Sequence, residues 1–287
     1  MPPPIVDGAT RLLGIVGDPV AQVRSPPLWS ALFRYNKINA ICVPFHVHPL
    51  DFPAFTDGFR RAGNILGLLV TIPHKLAAAR HAELLTPRAR KVGTANLLRP
   101  RADGGWEGDM LDGFGFVAAL RSDGQQIEGR RALVVGAGGV GSAIAFALAE
   151  AGAASVAVAD IDAARAEALS FRLLQLAGVK SCVSQAQGKG FDLIVNASPL
   201  GMRADDPLPV DLDGVTSAAI VADVVISAGL TPLLRAARAR SCHVQVGSAM
   251  TDHQVAAMAA FLGLDSGEWG PEAIRAALSF PADGGRN

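Results

Sequence analysis

The sequence predicts an α/β protein of two domains, 1–111 and 112–246, followed by a helical tail at 247–287. The chain has 287 residues, which exceeds one average domain of roughly 150 residues. Short β-rich runs alternate with segments of helical spacing, a pattern typical of mostly parallel sheets with helices on their faces. Apolar residues make up 50% of the chain and charged residues 18%, so a large core can be buried.

The first domain carries four predicted strands with helical segments between them. Hydrophobic spacing predicts helices at 27–35 and 50–62, and a further helical stretch up to about Val92. Pro73 cannot donate to a central ladder and therefore marks the end of the third strand. The strands are predicted at 12–16, 41–47, 66–72 and 94–98.

The remainder of the chain continues this alternation around glycine-rich breaks. The polar segment 99–109 is predicted to be a loop or hairpin tip, and 124–129 is a second break. Helices are predicted at 112–120, from the next glycine turn to about Gly152, and at 232–239. The strands of this part are predicted at 132–136, 155–160, 193–196, 219–224 and 243–246.

The charge balance and the apolar pattern exclude several classes of protein. Lysine plus arginine number 26, and so do aspartate plus glutamate, which argues against nucleic-acid binding. The longest uncharged apolar stretch, 132–149, contains a cluster of glycines and is predicted to be a strand, a turn and a helix rather than a membrane span. No basic residue followed by an apolar run begins the chain, so we expect no secretory signal and a cytoplasmic protein.

Cysteine and histidine spacing gives no indication of a metal site or a disulfide framework. Cys42, Cys182 and Cys242 form no CxxC pair, and we expect all three to be buried, inert thiols. The six histidines form no HxxxH or HExxH pair. We therefore expect no bound metal.

A GxGxxG motif follows the strand predicted at 132–136. Gly136 permits the tight turn, Gly138 lets a pyrophosphate approach the backbone, and Gly141 lets helix and strand pack closely. The following Ala-rich helix offers N–H groups at its N-terminus to phosphates. A glycine turn needed only for packing is the alternative. The predicted dinucleotide-binding loop consists of Gly136, Ala137, Gly138, Gly139, Val140 and Gly141.

An acidic residue at the end of the next strand bears on which dinucleotide binds. Asp160 follows that strand, and its carboxylate can accept hydrogen bonds from ribose hydroxyls. A 2′-phosphate there would suffer a repulsion of roughly 1 to 4 kcal/mol at about 4 Å. The next residues, Ile161 and Asp162, supply no compensating arginine. The sequence therefore predicts NAD as cofactor, with an exposed strand-end aspartate as the alternative reading.

Further motifs follow one another in a fixed order from about Leu13 to the last helix. They are Gly17-Asp-Pro-Val-Ala-Gln-Val-Arg-Ser25-Pro26, Val70-Thr-Ile-Pro-His-Lys75, Gly93-Thr-Ala-Asn96, Gly108-Asp-Met-Leu-Asp112-Gly-Phe-Gly115, Asn196-Ala-Ser-Pro-Leu-Gly-Met202, Thr231-Pro-Leu-Leu234 and Met250-Thr-Asp-His-Gln254. Through this ordered set the sequence resembles the shikimate/quinate dehydrogenase family.

The resemblance implies a fold and a reaction. The fold is an N-terminal substrate domain with a mixed, mostly parallel sheet, a Rossmann-like dinucleotide-binding domain, and C-terminal helices that return to the first domain. The reaction is reversible hydride transfer between a nicotinamide and a ring carbon bearing a hydroxyl, in a cleft between the two domains.

The resemblance also assigns roles to individual residues. Lys75 matches the catalytic acid/base, and Asp112 matches its partner and hydroxyl anchor, although Asp112 could also cap a helix. Substrate-binding positions are Ser25, Thr71, Asn96 and Gln254, each of which could instead be a strand-end or capping residue. Further cofactor positions, beside Asp160 and Ile161, are Arg165, Asn196, Ser198, Met202, Val224 and Gly247.

The sequence departs from the family where the substrate carboxylate and the cofactor phosphate are recognised. Val23 stands where the family has the first of two serines. Ile226 stands where it generally has a tyrosine, and Tyr35 is the only tyrosine of the chain. After the second strand of the cofactor domain the family's Asn-Arg-Thr is replaced by Asp160-Ile-Asp162, with Arg165 retained. The catalytic pair is thus kept while recognition has changed.

These observations predict an NAD-dependent dehydrogenase of shikimate, quinate or a related cyclic hydroxy acid, with weak activity on shikimate. One alternative is a dehydrogenase of a less polar cyclic alcohol. A second is a catalytically silent dinucleotide-binding regulator, against which the retention of Lys75 and Asp112 argues. We expect a small-molecule substrate, no nucleic-acid or membrane partner, and a monomer or homodimer.

Overall fold

The computed structural model describes residues 6–203, 205–227, 229–264 and 266–279. The expected absence of a secretory signal rests in part on residues 1–5, which lie outside the described residues. The chain forms two compact units, which are described separately. The first unit is Met1–Leu111 with Val255–Asn287, and the second unit is Asp112–Gln254.

The elements of the described ranges follow in chain order. The strands are β1 (Arg11–Gly17), β2 (Ala40–His46), β3 (Ile65–Val70), β4 (Leu84–Leu85), β5 (Leu97–Pro100), β6 (Trp106–Asp109), β7 (Arg131–Val135), β8 (Ser155–Ala159), β9 (Lys180–Val183), β10 (Leu193–Asn196), β11 (Ile220–Asp223) and β12 (His243–Gln245). The helices are α1 (Ser25–Tyr35), α2 (Phe52–Phe59), α3 (Lys75–His81), α4 (Pro87–Val92), α5 (Asp112–Ser122), α6 (Gly139–Glu150), α7 (Ala163–Ala177), α8 (Pro232–Ala239), α9 (Gly247–Phe261) and α10 (Pro271–Ser279).

The first unit contains a mixed six-stranded sheet in the order β2-β1-β3-β5-β6-β4. The pairs β1–β2, β1–β3 and β4–β6 are parallel, whereas β3–β5 and β5–β6 are antiparallel. The β5–β6 pair is antiparallel because these two strands form a hairpin, and β5 of this hairpin pairs with β3. The predicted mixed, mostly parallel sheet is confirmed.

The C-terminal helices complete the core of the first unit. Trp29 and Phe33 on α1 lie 5.8 Å and 6.2 Å, between ring centroids, from Trp269, which precedes α10. Helix α10 packs against α1, and buried residues of α9 from Val255 onward belong to the same hydrophobic cluster. The predicted return of the C-terminal helices to the first domain is therefore confirmed, and the two units divide within α9.

The second unit contains a fully parallel six-stranded sheet in the order β12-β11-β10-β7-β8-β9. Strands β10 and β11 are apolar up to their last residue and are buried throughout, because helices cover both faces of such a sheet. The strand order reverses between β7 and β10, and dinucleotides bind at the carboxyl ends of strands at such a point. This is the predicted Rossmann-like arrangement.

Several local predictions differ from the structure. The helix predicted at 50–62 is α2 alone, preceded by a short 3-10 turn at Pro49–Asp51, and the helical stretch up to Val92 is interrupted by β4. The segment 99–109 is a hairpin, one of the two predicted alternatives, and β5 and β6 extend further into it than a hairpin tip would.

One prediction about cysteines is wrong. Cys42 and Cys242 are buried, but Cys182 is exposed because β9, which carries it, lies at the edge of the second sheet. No helix in the described part of the chain is both long enough and apolar enough to cross a membrane.

Candidate active site and dinucleotide site

The glycine loop between β7 and α6 requires glycine for steric reasons. Gly136 has a φ of +106°, and a Cβ there would lie 2.7 Å from the carbonyl atoms of Ala197. A Cβ at Gly141 would overlap the carbonyl oxygen of Gly136, whereas a Cβ at Gly138 would meet open space. Gly136 and Gly141 are thus fixed by packing. The space beside Gly138 is where a ligand can approach the backbone.

Asp160 holds the loop to the end of β8. Its Oδ2 accepts a hydrogen bond from the Ala137 N–H at 2.6 Å, and its Oδ1 accepts one from the Asp162 N–H at 2.8 Å. Each carboxylate oxygen can accept a second hydrogen bond, so the group keeps capacity for a ribose hydroxyl. Ile161, between the two aspartates, is fully exposed.

The cation nearest in sequence is already paired. Arg165 lies 3.1 Å, from Nε to Oδ2, from Asp162, which also caps α7 by accepting a hydrogen bond from the Arg165 N–H. The strand end therefore presents Asp160 beside an apolar side chain. These residues fit a dinucleotide: an open approach at Gly138, the N-terminus of α6 for the phosphates, and a carboxylate for the ribose.

The second half of the parallel sheet ends in two buried polar residues in register, Asn196 on β10 and Asp223 on β11. The Asn196 amide nitrogen donates to Asp223 Oδ1 and to the Leu200 carbonyl, both at 2.9 Å. The Asn196 carbonyl oxygen accepts hydrogen bonds from the N–H and the hydroxyl of Ser198. Asn196 thus uses its side chain to shape the loop that carries Ser198 and Met202, the latter exposed.

Two further predicted cofactor positions meet at the end of β11. A Cβ at Gly247, the first residue of α9, would lie 2.5 Å from the Val224 carbonyl oxygen. Helix α9 therefore approaches this strand end as closely as backbone atoms permit. Ile226, two residues further on, presents an exposed apolar side chain.

In the first unit, the carboxyl ends of β1 and β3 carry the predicted substrate loops. The Thr71 N–H donates to the Val16 carbonyl and the Asp18 N–H donates to the Ile72 carbonyl, each at 3.0 Å. A Cβ at Gly17 would lie 2.6 Å from Thr71 Cγ2, so glycine is needed for the two loops to meet. Thr71 is half-buried and lies directly after β3, at the point where the two loops meet.

Lys75 is buried and begins α3 directly after His74. The His74 N–H donates to the Thr71 carbonyl at 2.9 Å, and the His74 ring stacks on Phe52 with centroids 4.9 Å apart. Burial lowers the pKa of His74, so the neutral ring donates from Nε2 to the Val47 carbonyl at 2.9 Å. These contacts fix the first turn of α3 and with it the backbone of Lys75.

A backbone hydrogen bond brings Asn96 close to Lys75. The Lys75 carbonyl accepts a hydrogen bond from the Ala95 N–H at 2.9 Å, and the neighbouring Asn96 is buried, with its Oδ1 accepting from the Leu111 N–H at 3.0 Å. The first unit therefore brings together Thr71, Lys75 and Asn96. Ser25 begins α1, while Val23 packs its side chain against the hydrophobic cluster beneath that helix.

The second unit places Asp112 and Gln254 on helices that share a close contact. Asp112 is buried at the start of α5. A Cβ at Gly113 would overlap the Ala143 carbonyl of α6, and one at Gly115 would lie 2.8 Å from the Gln254 Cβ on α9. The two glycines after Asp112 let α5 lie between α6 and α9, and they bring Gln254 onto α5.

Comparison with known proteins identifies the family. Residues 15–98 match the family model described as the shikimate dehydrogenase substrate binding domain. The shikimate dehydrogenase (NADP(+)) of Rubrobacter xylanophilus is 38% identical over 269 residues, which cover 91% of this chain and 94% of that protein. The chain belongs to the shikimate/quinate dehydrogenase family. It is therefore an oxidoreductase that acts on a CH–OH group of a small molecule with a dinucleotide cofactor.

Two solved members of the same fold extend the comparison. A quinate dehydrogenase from Corynebacterium glutamicum in complex with NAD superimposes with a TM-score of 0.82 at 29% identity, covering 93% of this chain and 98% of that one. A ligand-free 5-ketofructose reductase of Gluconobacter sp. strain CHM43 has a TM-score of 0.82 at 25% identity, covering 94% and 98%. A dehydrogenase and a reductase with different named substrates thus share this backbone.

Sequence reasoning missed two buried groups in this family member, His74 and Asp223. His74 stood within a quoted motif, but its hydrogen-bond acceptor, Val47, is 27 positions away in the chain. For Asp223 a signal existed: like Asn196, it ends a short, wholly apolar run, and parallel strands bring such ends to one edge.

Proposed function

We propose that this chain is an NAD-preferring dehydrogenase of shikimate, quinate or a related cyclic hydroxy acid, with Lys75 as acid/base and Asp112 as its partner. The observation that carries the NAD preference is Asp160, held on the glycine loop through Ala137 and followed by an exposed isoleucine. The roles of Lys75 and Asp112 come from the motifs they occupy, and a cytoplasmic location and a monomeric or homodimeric state stay predictions.

The cofactor preference follows from charge. The Asp160 carboxylate is fixed by two backbone N–H groups and cannot swing away from a 2′-phosphate without losing them. Arg165, the cation four residues beyond Ile161, is engaged by Asp162. A 2′-phosphate would therefore meet a fixed negative charge, whereas ribose hydroxyls would find an acceptor.

The chemistry requires a proton acceptor beside the substrate hydroxyl. When bound, the nicotinamide supplies the carbon that accepts the hydride. A lysine amine takes the hydroxyl proton as hydride leaves and returns it in the reverse direction. Lys75 suits this role because it is buried on a helix start that His74 holds rigidly. Thr71 and Asn96, on the same edge of the first sheet, are the proposed donors and acceptors for the other ring hydroxyls.

One observation favours a second candidate, a cyclic alcohol or polyol without a carboxylate. Val23 packs on the hydrophobic cluster and Ile226 is apolar, so neither supplies the hydroxyl that the family uses for the carboxylate. The similar 5-ketofructose reductase is named for a ketose, which carries no carboxylate.

A substrate panel tests the proposal. NADH formation is followed with shikimate, quinate, related cyclic hydroxy acids and neutral cyclic polyols.

Each hydroxyl lost at positions 23 and 226 removes a charged hydrogen bond of about 1.5 to 3 kcal/mol. We therefore expect shikimate efficiency to rise by about tenfold or more in Val23→Ser/Ile226→Tyr, with smaller gains in the single variants. The proposal that the substrate pocket has changed would be contradicted if the unmodified protein already turned over shikimate faster than every other compound.

A further inference from the structure

A single buried carboxylate joins three segments at the end of β11. Asp223 Oδ1 accepts hydrogen bonds from the Asn196 amide at 2.9 Å and from the Val225 N–H at 3.0 Å. Its Oδ2 accepts one from the Thr231 hydroxyl at 2.6 Å, and Thr231 itself caps α8. The loop after β10, the loop after β11 and the start of α8 therefore meet on one side chain.

The donors on this carboxylate are neutral: an amide, a backbone N–H and a hydroxyl. Burial without a cation on the carboxylate raises the pKa of Asp223 above its ordinary value, although the three hydrogen bonds act in the opposite direction. A carboxylate is a stronger acceptor than an amide oxygen, because hydrogen bonds to a charged group are roughly twice as strong as neutral ones. The chain thus places a group that is costly to bury at the point where these three donors meet.

The position of this group indicates which part of a dinucleotide it affects. A doubly wound sheet of this order consists of two mononucleotide-binding halves. Asp160 and the glycine loop belong to the half formed by β7 to β9, and Asp223 belongs to the other half, β10 to β12. The loops that Asp223 joins carry the predicted contacts Ser198 and Val224, together with Ile226.

We propose that Asp223 is a positioning residue for the nicotinamide half of the dinucleotide site. Its carboxylate holds the Ser198 loop, through Asn196, at a fixed distance from the Val224–Ile226 loop. The adenosine half, held by Asp160, is independent of it. The proposal rests on the dinucleotide function proposed above, and it needs no group from the first unit.

The test separates the two halves of the ligand. Asp223→Asn keeps the size of the side chain and one acceptor oxygen but removes the charge. Calorimetry compares the affinities for NAD and for ADP-ribose, which lacks the nicotinamide. We expect NAD affinity to fall by about five- to fiftyfold and ADP-ribose affinity to stay within about twofold. The matched control is Asp192→Asn, at the opposite end of β10, which should change neither affinity beyond about twofold.

Each outcome decides the matter. Equal weakening of both ligands would mean that Asp223 supports the fold as a whole, and unchanged NAD affinity would mean that its charge is not needed; either result overturns the proposal. If Asp223→Asn does not fold, Thr231→Val removes one donor from the carboxylate and Thr231→Ser restores it, and the same selective loss and rescue are expected. Wild-type protein that prefers NADP would contradict the proposed NAD preference alone, and the comparison would then use NADP and 2′-phospho-ADP-ribose.

Discussion

Individual polar side chains in the first unit are held by partners that are distant in the chain. His74 bonds to Val47, and Asn96 accepts from the Leu111 N–H. The motifs sufficed to select Lys75, because a lysine directly after a Thr-x-Pro-His run is distinctive. They could not reveal that a neutral, buried histidine fixes its helix, because that contact depends on tertiary packing. The sequence could therefore select single candidate residues, but it could not predict the contacts that hold them in place.

The first prediction concerns the catalytic pair. Lys75→Ala should lower turnover by about 10² to 10⁴, the usual contribution of a positioned acid/base, and leave NAD affinity unchanged. Asp112→Ala should also lower turnover, and the double variant should lose less than the two single losses combined, since the residues act as a unit. Steady-state rates and calorimetry on the four proteins measure this.

The control for the pair is Lys180→Ala, which removes an exposed lysine from β9 in the second sheet. Its rate should match the unmodified protein. Near-normal turnover by Lys75→Ala on a good substrate would show that another group transfers the proton.

At the scale of elements, the sequence predicted strands with buried, apolar runs best. The strand 193–196 and the helix 232–239 have the predicted bounds. Helix α7 and strand β9 were not predicted. Strand β9 gave no signal because it is an edge strand whose residues are mostly exposed and carry no apolar alternation. Strand β4 has only two residues, too few for any periodic signal.

The glycine loop gives a prediction that separates binding from folding. Gly138→Ala meets open space and has a φ of −74°, so stability should fall by no more than about 1 kcal/mol, the cost of a poorer helix cap. NAD affinity should nevertheless fall by at least about tenfold, because the Cβ occupies the approach of the pyrophosphate. Gly141→Ala would overlap the Gly136 carbonyl, and it should cost about 1 to 3 kcal/mol of stability.

Urea unfolding and calorimetry on the two glycine variants measure this difference. The interpretation of Gly138 as the ligand-facing glycine would be wrong if Gly138→Ala bound NAD normally. It would also be wrong if that variant lost as much stability as Gly141→Ala.

Two aspartates at opposite ends of the parallel sheet should respond to pH with opposite signs. The pKa of Asp223 is raised by burial, so the folded state holds its proton more tightly than the unfolded chain, whose value is about 3.9. Its contribution to stability therefore falls as pH rises above about 4. The pKa of Asp192 is lowered, chiefly by its hydrogen bond from Arg131, so its contribution is present above about pH 4 and is lost as pH falls through the folded value.

Urea unfolding at several pH values checks this. Relative to Asp223→Asn, the unmodified protein should lose stability as pH is raised above about 4, and relative to Asp192→Asn it should lose stability as pH is lowered below about 4. The same slope for both comparisons would contradict the assignment of burial as the dominant effect on Asp223.

For the molecule as a whole, the ordered motifs predicted more than hydrophobic patterns could. Alternating strands and helices predicted parallel sheets, and the second sheet is wholly parallel. The antiparallel pairing of β5 with β6 depends on the hairpin at Gly104 and Gly105, which the patterns left open as a loop or hairpin tip. The return of the C-terminal helices to the first domain was predicted from the family resemblance. The sequence of a helix alone does not indicate which sheet the helix packs against.

The cofactor preference tests the account most directly. The ratio of kcat/KM for NAD to that for NADP is measured with the best substrate of the panel, in the unmodified protein and in Asp160→Ser/Ile161→Arg. We expect NAD to be favoured by roughly ten- to a thousandfold in the unmodified protein, because a 2′-phosphate bound beside the fixed Asp160 carboxylate would be repelled. The double variant, which removes that charge and adds an arginine, should shift the ratio towards NADP. Equal or better use of NADP by the unmodified protein would contradict the role assigned to Asp160.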